Sequence, residues 1–222
     1  MIKRTRTIWL AAALAMLLAP GLFLLDRAAA DEPPRYDAEA VYERSHQAVF
    51  YVRALRANGT VAATGTGAVI GSNGTAVTAY HVVEGAERLQ AVFPDGTTAE
   101  SIQVIASSVE NDAAVLKLPS RKEGYSALTL RQGAVKHGEK MFAIGYPLKN
   151  TPIVTEGIVN SPKAEINGKS RILTSAQIAN GMSGGPLIDE EGRLAGVISG
   201  SLRTMGNIHL VVPASAVQTL LK

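Results

Sequence analysis

The sequence is 222 residues long, 46% hydrophobic and 18% charged, with 21 glycines and 10 prolines, a globular composition with room for one large all-β domain or two small ones. It contains no cysteine, which excludes disulfides, thiolate metal sites and cysteine nucleophiles but leaves the compartment open, because a core of this size needs no disulfides. The net charge of +3 arises at the start: beyond residue 30, basic and acidic side chains balance at 18 each, and no basic run with interleaved aromatics follows, so nucleic acid is not an expected partner.

Residues 1–7, MIKRTRT, are basic, and residues 8–25 carry no charge. Ala28, Ala29 and Ala30 then precede Asp31. A basic start, an apolar run and an A-x-A site predict a secretory signal cut after Ala30, and so an extracytoplasmic protein. An uncleaved membrane anchor competes, since an apolar run of this length lies at the boundary between the two. Pro20 and Gly21 interrupt the run and favour the signal. A membrane is expected as a partner only if this segment stays attached.

Residues 31–35, DEPPR, read as an extended linker, and residues 36–46 as a short helix with a weak apolar face. The pattern then turns strand-like. Six runs are expected as strands: 48–55, 66–71, 75–79, 88–93, 99–108 and 113–118. Asn58-Gly59, Asn73-Gly74, Asp95-Gly96 and Glu110-Asn111-Asp112 supply turns between them. A polar connection near residues 120–124 leads to six more, at 140–146, 153–161, 171–176, 186–190, 193–200 and 207–212. Pro213 suits the first turn of a closing helix. Two successive six-stranded sets suit a pair of small barrels, at residues 47–119 and 120–222, better than a single sandwich. A parallel α/β sheet is disfavoured, because no long helices separate the strands.

Three places carry chemistry. His81 follows the expected strand 75–79, on a turn where a side chain can face a cleft. His46, His137 and His209 have bland contexts, and a structural role is expected of each. Asp112 precedes the apolar strand 113–118, where a partly buried carboxylate could accept an imidazole N–H, although a turn aspartate there would be ordinary. Ser183 lies in Asn180-Gly181-Met182-Ser183-Gly184-Gly185-Pro186. The flanking glycines let the backbone turn sharply enough to aim the N–H groups of Gly181 and Ser183 at one point, as an oxyanion demands.

The same segment satisfies G-x-S-x-G, the nucleophile elbow of α/β hydrolases, but an elbow needs a helix directly after the serine and an acid and histidine beyond it. Here Pro186-Leu187-Ile188-Asp189 leads to a hairpin pattern. The order His81, Asp112, Ser183, with gaps of 31 and 71 residues, matches the triad order found on paired β-barrels, with base and acid in the first strand set and nucleophile in the second.

The segments GTGAVIGSNGTAVTAYHVVEG, NDAAVLKL, LTSAQIANGMSGGPL and IHLVVPASAVQTLL resemble the trypsin-like serine peptidases of the HtrA/Deg type over roughly residues 40–222. The resemblance implies a chymotrypsin-like double β-barrel, with His81 as base, Asp112 as acid, Ser183 as nucleophile, and an oxyanion hole at the N–H groups of Gly181 and Ser183. It implies protein or peptide substrates and calls for no metal or organic cofactor. Three departures stand out. The family usually continues into PDZ domains, whereas this chain stops at Lys222, so a protease domain alone is expected. Met182 replaces the usual asparagine and is expected near the leaving-group side of the site. Ser175 stands where aspartate is common. The resemblance also puts Gln177 at the base of the primary specificity pocket, with Ser199, Gly200 and Ser201 as a wall. No acidic residue is among them, so a neutral, small or medium P1 residue is expected.

The sequence therefore points to an extracytoplasmic serine endopeptidase. A latent or inactive protease-fold binding module and a small-ester hydrolase on an α/β fold are the alternatives. No assembly signal is visible.

Overall fold

The computed structural model describes residues 34–149, 151–202 and 204–222. The expected signal or anchor and the first residues of the linker lie outside them. Among the described residues no helix is long and apolar enough to cross a membrane.

The first helix, α1 (Ala38–Ser45), starts where Asp37 accepts a hydrogen bond from the Ala40 N–H at 2.9 Å, which satisfies one of the free donors of the first turn. It buries Val41 and Ser45, and a single 3₁₀ turn (His46–Ala48) passes the chain into the first sheet. That sheet comprises β1 (Val49–Leu55), β2 (Val61–Gly71), β3 (Thr75–Thr78), β4 (Arg88–Val92), β5 (Thr98–Ala99), β6 (Gln103–Ser108) and β7 (Ala113–Lys117), in the order β5-β4-β1-β2-β3-β7-β6. Three of its turns use one device. In Asn58-Gly59-Thr60, Asn73-Gly74-Thr75 and Asp95-Gly96-Thr97 the first side chain accepts from both the backbone N–H and the hydroxyl of the threonine. The turn is thereby closed locally before the strands pair.

The second sheet closes into a barrel of β8 (Lys140–Leu148), β9 (Thr151–Ile166), β10 (Lys169–Thr174), β11 (Pro186–Asp189), β12 (Leu194–Ser201) and β13 (His209–Pro213). A last helix, α3 (Ala214–Leu220), follows directly. Successive residues of these strands supply two different cores. Met141, Leu187, Ile198 and Val211 fill the inside of the barrel. Their neighbours Phe142, Ile188, Val197 and Val212 face outward and join a core that continues into the first sheet through Phe50 and Leu116. Strands buried on both faces read as unbroken apolar runs rather than alternating ones, which is the pattern of KMFAI and LAGVI.

Three strands differ most from the expectation, and the first of them, β2, begins at Val61 rather than at residue 66. Residues 99–108 form two strands, because Ser101 takes a left-handed conformation (φ 58°) and breaks the ladder. The first sheet thus has seven strands rather than six. β9 runs for 16 residues, and its outer end pairs with β10 as a hairpin turning at Asn167-Gly168.

Candidate active site

His81 lies on a one-turn helix, α2 (Tyr80–Val83), that starts as soon as β3 ends. Asp112 closes the turn between β6 and β7, held there by Asp112 N–H to Val109 O (3.3 Å) and Asn111 N–H to Ser108 Oγ (3.0 Å). Its φ is +56°, a left-handed conformation that aspartate tolerates at modest cost. The two side chains meet. His81 Nδ1 is 3.0 and 2.9 Å from the two carboxylate oxygens, and the His81 backbone N–H donates to Oδ1 at 3.0 Å. The Ser199 hydroxyl donates to Oδ2 at 2.6 Å. A carboxylate accepts, so Nδ1 must carry the ring proton, and Nε2 is left with the lone pair a base requires.

The electrostatics follow from these contacts. The hydrogen bond that His81 donates to Asp112 raises the pKa of His81 above 6.5; burial opposes this, and the charges of Asp112 and Glu84 add to the rise. For Asp112, burial favours the neutral acid. The hydrogen bonds from the His81 ring, Ser199 and the His81 N–H together outweigh it and hold the carboxyl below its ordinary range. The His81 side chain is 46% exposed and that of Asp112 15%, so the imidazole faces solvent while the carboxylate sits behind it.

Ser183 belongs to the connection between β10 and β11, which is pinned to the first sheet. The Thr66 N–H donates to the Ser183 carbonyl at 2.8 Å, and the Thr66 hydroxyl donates to Gly181 O at 2.7 Å while accepting from the Tyr146 N–H at 2.9 Å. On the other side, Gly184 N–H donates to Ile198 O (2.7 Å) and Ile198 N–H to Gly185 O (2.8 Å). Gly184 has φ +88°, and a Cβ there would lie 2.1 Å from Thr78 Oγ1 and 2.2 Å from Thr66 O. Only glycine fits, in both conformation and space. Among the described residues, the N–H groups of Met182, Gly184 and Gly185 find protein acceptors, whereas those of Gly181 and Ser183 do not. No hydrogen bond joins Ser183 to His81. Ser183 is followed by β11 rather than a helix.

The remaining candidates fall as follows. Gln177 is exposed; its carbonyl accepts from the Thr155 hydroxyl at 2.7 Å. Of the expected pocket wall, Ser199 directs its hydroxyl to Asp112, Gly200 pairs with Leu210, and Ser201 Oγ lies 2.8 Å from His209 Nδ1. Ser175 ties its loop to β9: its N–H donates to Ile158 O, and its hydroxyl oxygen accepts the Ile158 N–H. Met182 departs from the expectation. It is 0% exposed and packs inside the second barrel, where the absence of a side chain at Gly145 makes room for it. Its sulfur accepts from the Ala179 N–H at 3.4 Å, and it does not line the site. Thr66 and the hydroxyl of Ser199 were not singled out from the sequence. Both act across long sequence separations, and no local pattern marks them.

A trypsin-like peptidase domain matches residues 65–197. The chain belongs to this family. Relatives of this trypsin-like chain include "Protease Do-like 1, chloroplastic" of Arabidopsis thaliana, 33% identical over 60% of the chain and 32% of that protein. "Serine protease HTRA1" of Xenopus laevis is 30% identical over 71% of the chain and 35% of its own length. A "probable periplasmic serine endoprotease DegP-like" of Buchnera aphidicola is 30% identical over 76% and 38%. The chain thus spans about a third of the length of these relatives. A crystal structure of the serine endoprotease from Yersinia pestis superposes with TM-score 0.74 at 25% identity, covering 86% of this chain and 66% of that one. The double-barrel, chymotrypsin-like fold is shared.

Proposed function

We propose that the protein is a serine endopeptidase acting on extracytoplasmic proteins. The observation that carries this reading is the contact of Asp112 with His81 Nδ1, which leaves Nε2 free to act as base beside a serine loop tethered to the same sheet. Ser183 Oγ attacks the peptide carbonyl carbon and gives its proton to His81 Nε2. The carbonyl oxygen becomes an oxyanion, and the unpaired N–H groups of Gly181 and Ser183 are suited to receive it. His81 then returns the proton to the departing amine, leaving an acyl-enzyme on Ser183. Water, deprotonated by the same nitrogen, completes hydrolysis. Asp112 stays ionised throughout and stabilises the imidazolium.

A fluorophosphonate probe should label the protein at Ser183 and fail on Ser183→Ala, with casein or peptide cleavage lost in parallel. One observation favours a second reading, a latent protease-fold binding module: Ser183 shares no hydrogen bond with His81 among the described residues. Apo triads are often loose at this contact and tighten with substrate. Absence of labelling from a folded protein under every condition would favour the module. For the extracytoplasmic address, fractionation with N-terminal sequencing should find a mature protein starting at Asp31; an intact N-terminus in the membrane fraction would favour the anchor.

A further inference from the structure

We propose that His209, together with Ser201, selects substrates whose P1 side chain ends in a carboxamide, an inference that rests on the peptidase reading above and on the pocket position of Ser201. Thr174, His209 and Ser201 are direct cross-strand partners on β10, β13 and β12. The next rung of these strands that faces the same way, Ile172, Val211 and Ile198, is wholly apolar and belongs to the barrel core. The barrel interior therefore turns polar at this last rung. It is also the rung from which the chain leaves Thr174 toward Ser183 and leaves Ser201 toward the turn before His209.

The hydrogen bonding of this rung is incomplete. His209 is 3% exposed, and its Nδ1 is taken by the Ser201 hydroxyl at 2.8 Å. Its Nε2 is buried with no partner among the described residues. Thr174 is not available to it, because that hydroxyl donates to Ile158 O at 3.0 Å and accepts from the Ala176 N–H at 3.2 Å. A buried ring nitrogen left unpaired is unfavourable, so it calls for a partner that the described side chains do not supply. The P1 side chain is the group that the peptidase reading brings to Ser201.

The chemistry of the ring selects the class. Burial pushes the His209 pKa below 6.5, and among the described residues no charged group shifts it; β10 and β12 face it with Thr174 and Ser201. At neutral pH the imidazole is uncharged, with a donor on one nitrogen and an acceptor on the other. A terminal carboxamide, as in Gln or Asn, offers both a donor and an acceptor, so it satisfies Nε2 in either tautomer. A carboxylate satisfies only an Nε2–H and gains as the ring protonates. An aliphatic side chain leaves the nitrogen unpaired.

Fluorogenic peptides differing only in P1 (Gln, Asn, Glu, Leu, Val and Lys) test this on the wild type and on His209→Leu. At pH 7.5 the wild type should cleave Gln with kcat/KM about tenfold above Leu. The Glu-to-Gln ratio should rise as pH falls toward 5.5. His209→Leu should reverse the Gln–Leu order while fluorophosphonate labelling of Ser183 persists. Leu or Val equalling Gln on the wild-type protein overturns the proposal without recourse to any variant, as does an unchanged Gln-to-Leu ratio in a folded His209→Leu. Persisting labelling with no Gln preference defeats this inference alone. Loss of wild-type labelling defeats the peptidase reading and this inference with it.

Discussion

The two halves of the candidate site are assembled by different means. On the first sheet, His81 and Asp112 are joined by side chains: two ring-to-carboxylate contacts, a carboxylate bond to the His81 backbone, and the hydroxyl of Ser199. On the second barrel, the serine loop is held almost entirely by its backbone, through Ser183 O, Gly181 O, Gly184 N–H and Gly185 O. Side-chain wiring fails when a group is exchanged for an isostere with the wrong proton. Backbone wiring ignores such exchanges and fails when a single methyl group is added. Substitutions in the first half should therefore alter chemistry at constant fold, and those in the second should move the nucleophile.

The largest effect belongs to the first half. Asp112→Asn keeps the shape but offers Nδ1 an amide, which stabilises the wrong tautomer and cannot stabilise the imidazolium. We expect kcat/KM to fall about 10⁴-fold with little change in thermal stability. A fall below about tenfold would mean that the carboxylate is a turn residue and no part of the chemistry.

Gly184→Ala is the counterpart in the second half. The added Cβ would meet Thr78 Oγ1 and Thr66 O well inside contact distance, and its left-handed backbone disfavours any side chain. Displacing the serine by about an ångström should lower kcat/KM about 10²-fold, and overpacking should cost about 1–3 kcal/mol of stability. Thr66→Val is the sharper test, because it keeps the volume and removes only the hydroxyl between Gly181 O and Tyr146 N–H. It should slow the reaction by about tenfold, chiefly in kcat, since it loosens the oxyanion loop rather than the base. An unaltered rate would show that the loop needs no such brace.

Met182 separates position along the chain from position in space. Next to Ser183 in sequence, it is buried among Ile198, Val211 and Leu187. Met182→Ala should cost about 2–4 kcal/mol by chemical denaturation. Its P1 and P1′ preferences should be those of the wild type. A changed cleavage profile at unchanged stability would place the side chain in the site after all.

What the sequence made legible follows the same division. The Asn-Gly-Thr and Asp-Gly-Thr turns announce themselves because their hydrogen bonds close within three residues. The strands of the second barrel were readable as apolar runs, and His81, Asp112 and Ser183 stood out through residue type, local glycines and order. The split of residues 99–108 was hidden because a serine at φ 58° has no local signature. The bonds of the Thr66 and Ser199 hydroxyls were hidden for a different reason: each reaches a partner in the other half. Met182 misled because the turn that exposes Ser183 sends the preceding side chain inward, toward space that exists only because residue 145 is glycine.

The smallest expected effect concerns pH, and it sets the two partners of the first half against each other. His81 gains its partner when charged, so its folded pKa is raised. The stability it contributes is complete below about pH 6.5 and is lost as pH rises through that raised value. Asp112 is held low. Its contribution is complete above about pH 3.9 and is lost as pH falls below that toward the folded value. The pair therefore supports the fold most between these limits. The proposed mechanism needs neutral His81, so activity should rise only above pH 6.5, where that support is fading. Because the imidazole is half exposed, solvent screens the effect, and the excess Tm of the wild type over Asp112→Asn should be only about a degree or two, greatest near pH 5–6. Ser199→Ala leaves the carboxylate with one donor fewer and a stronger pull on the imidazolium. Its activity limb should shift to higher pH, with a loss below tenfold at pH 8. A limb that moved down instead would mean that Ser199 orients the carboxylate rather than drawing off its charge.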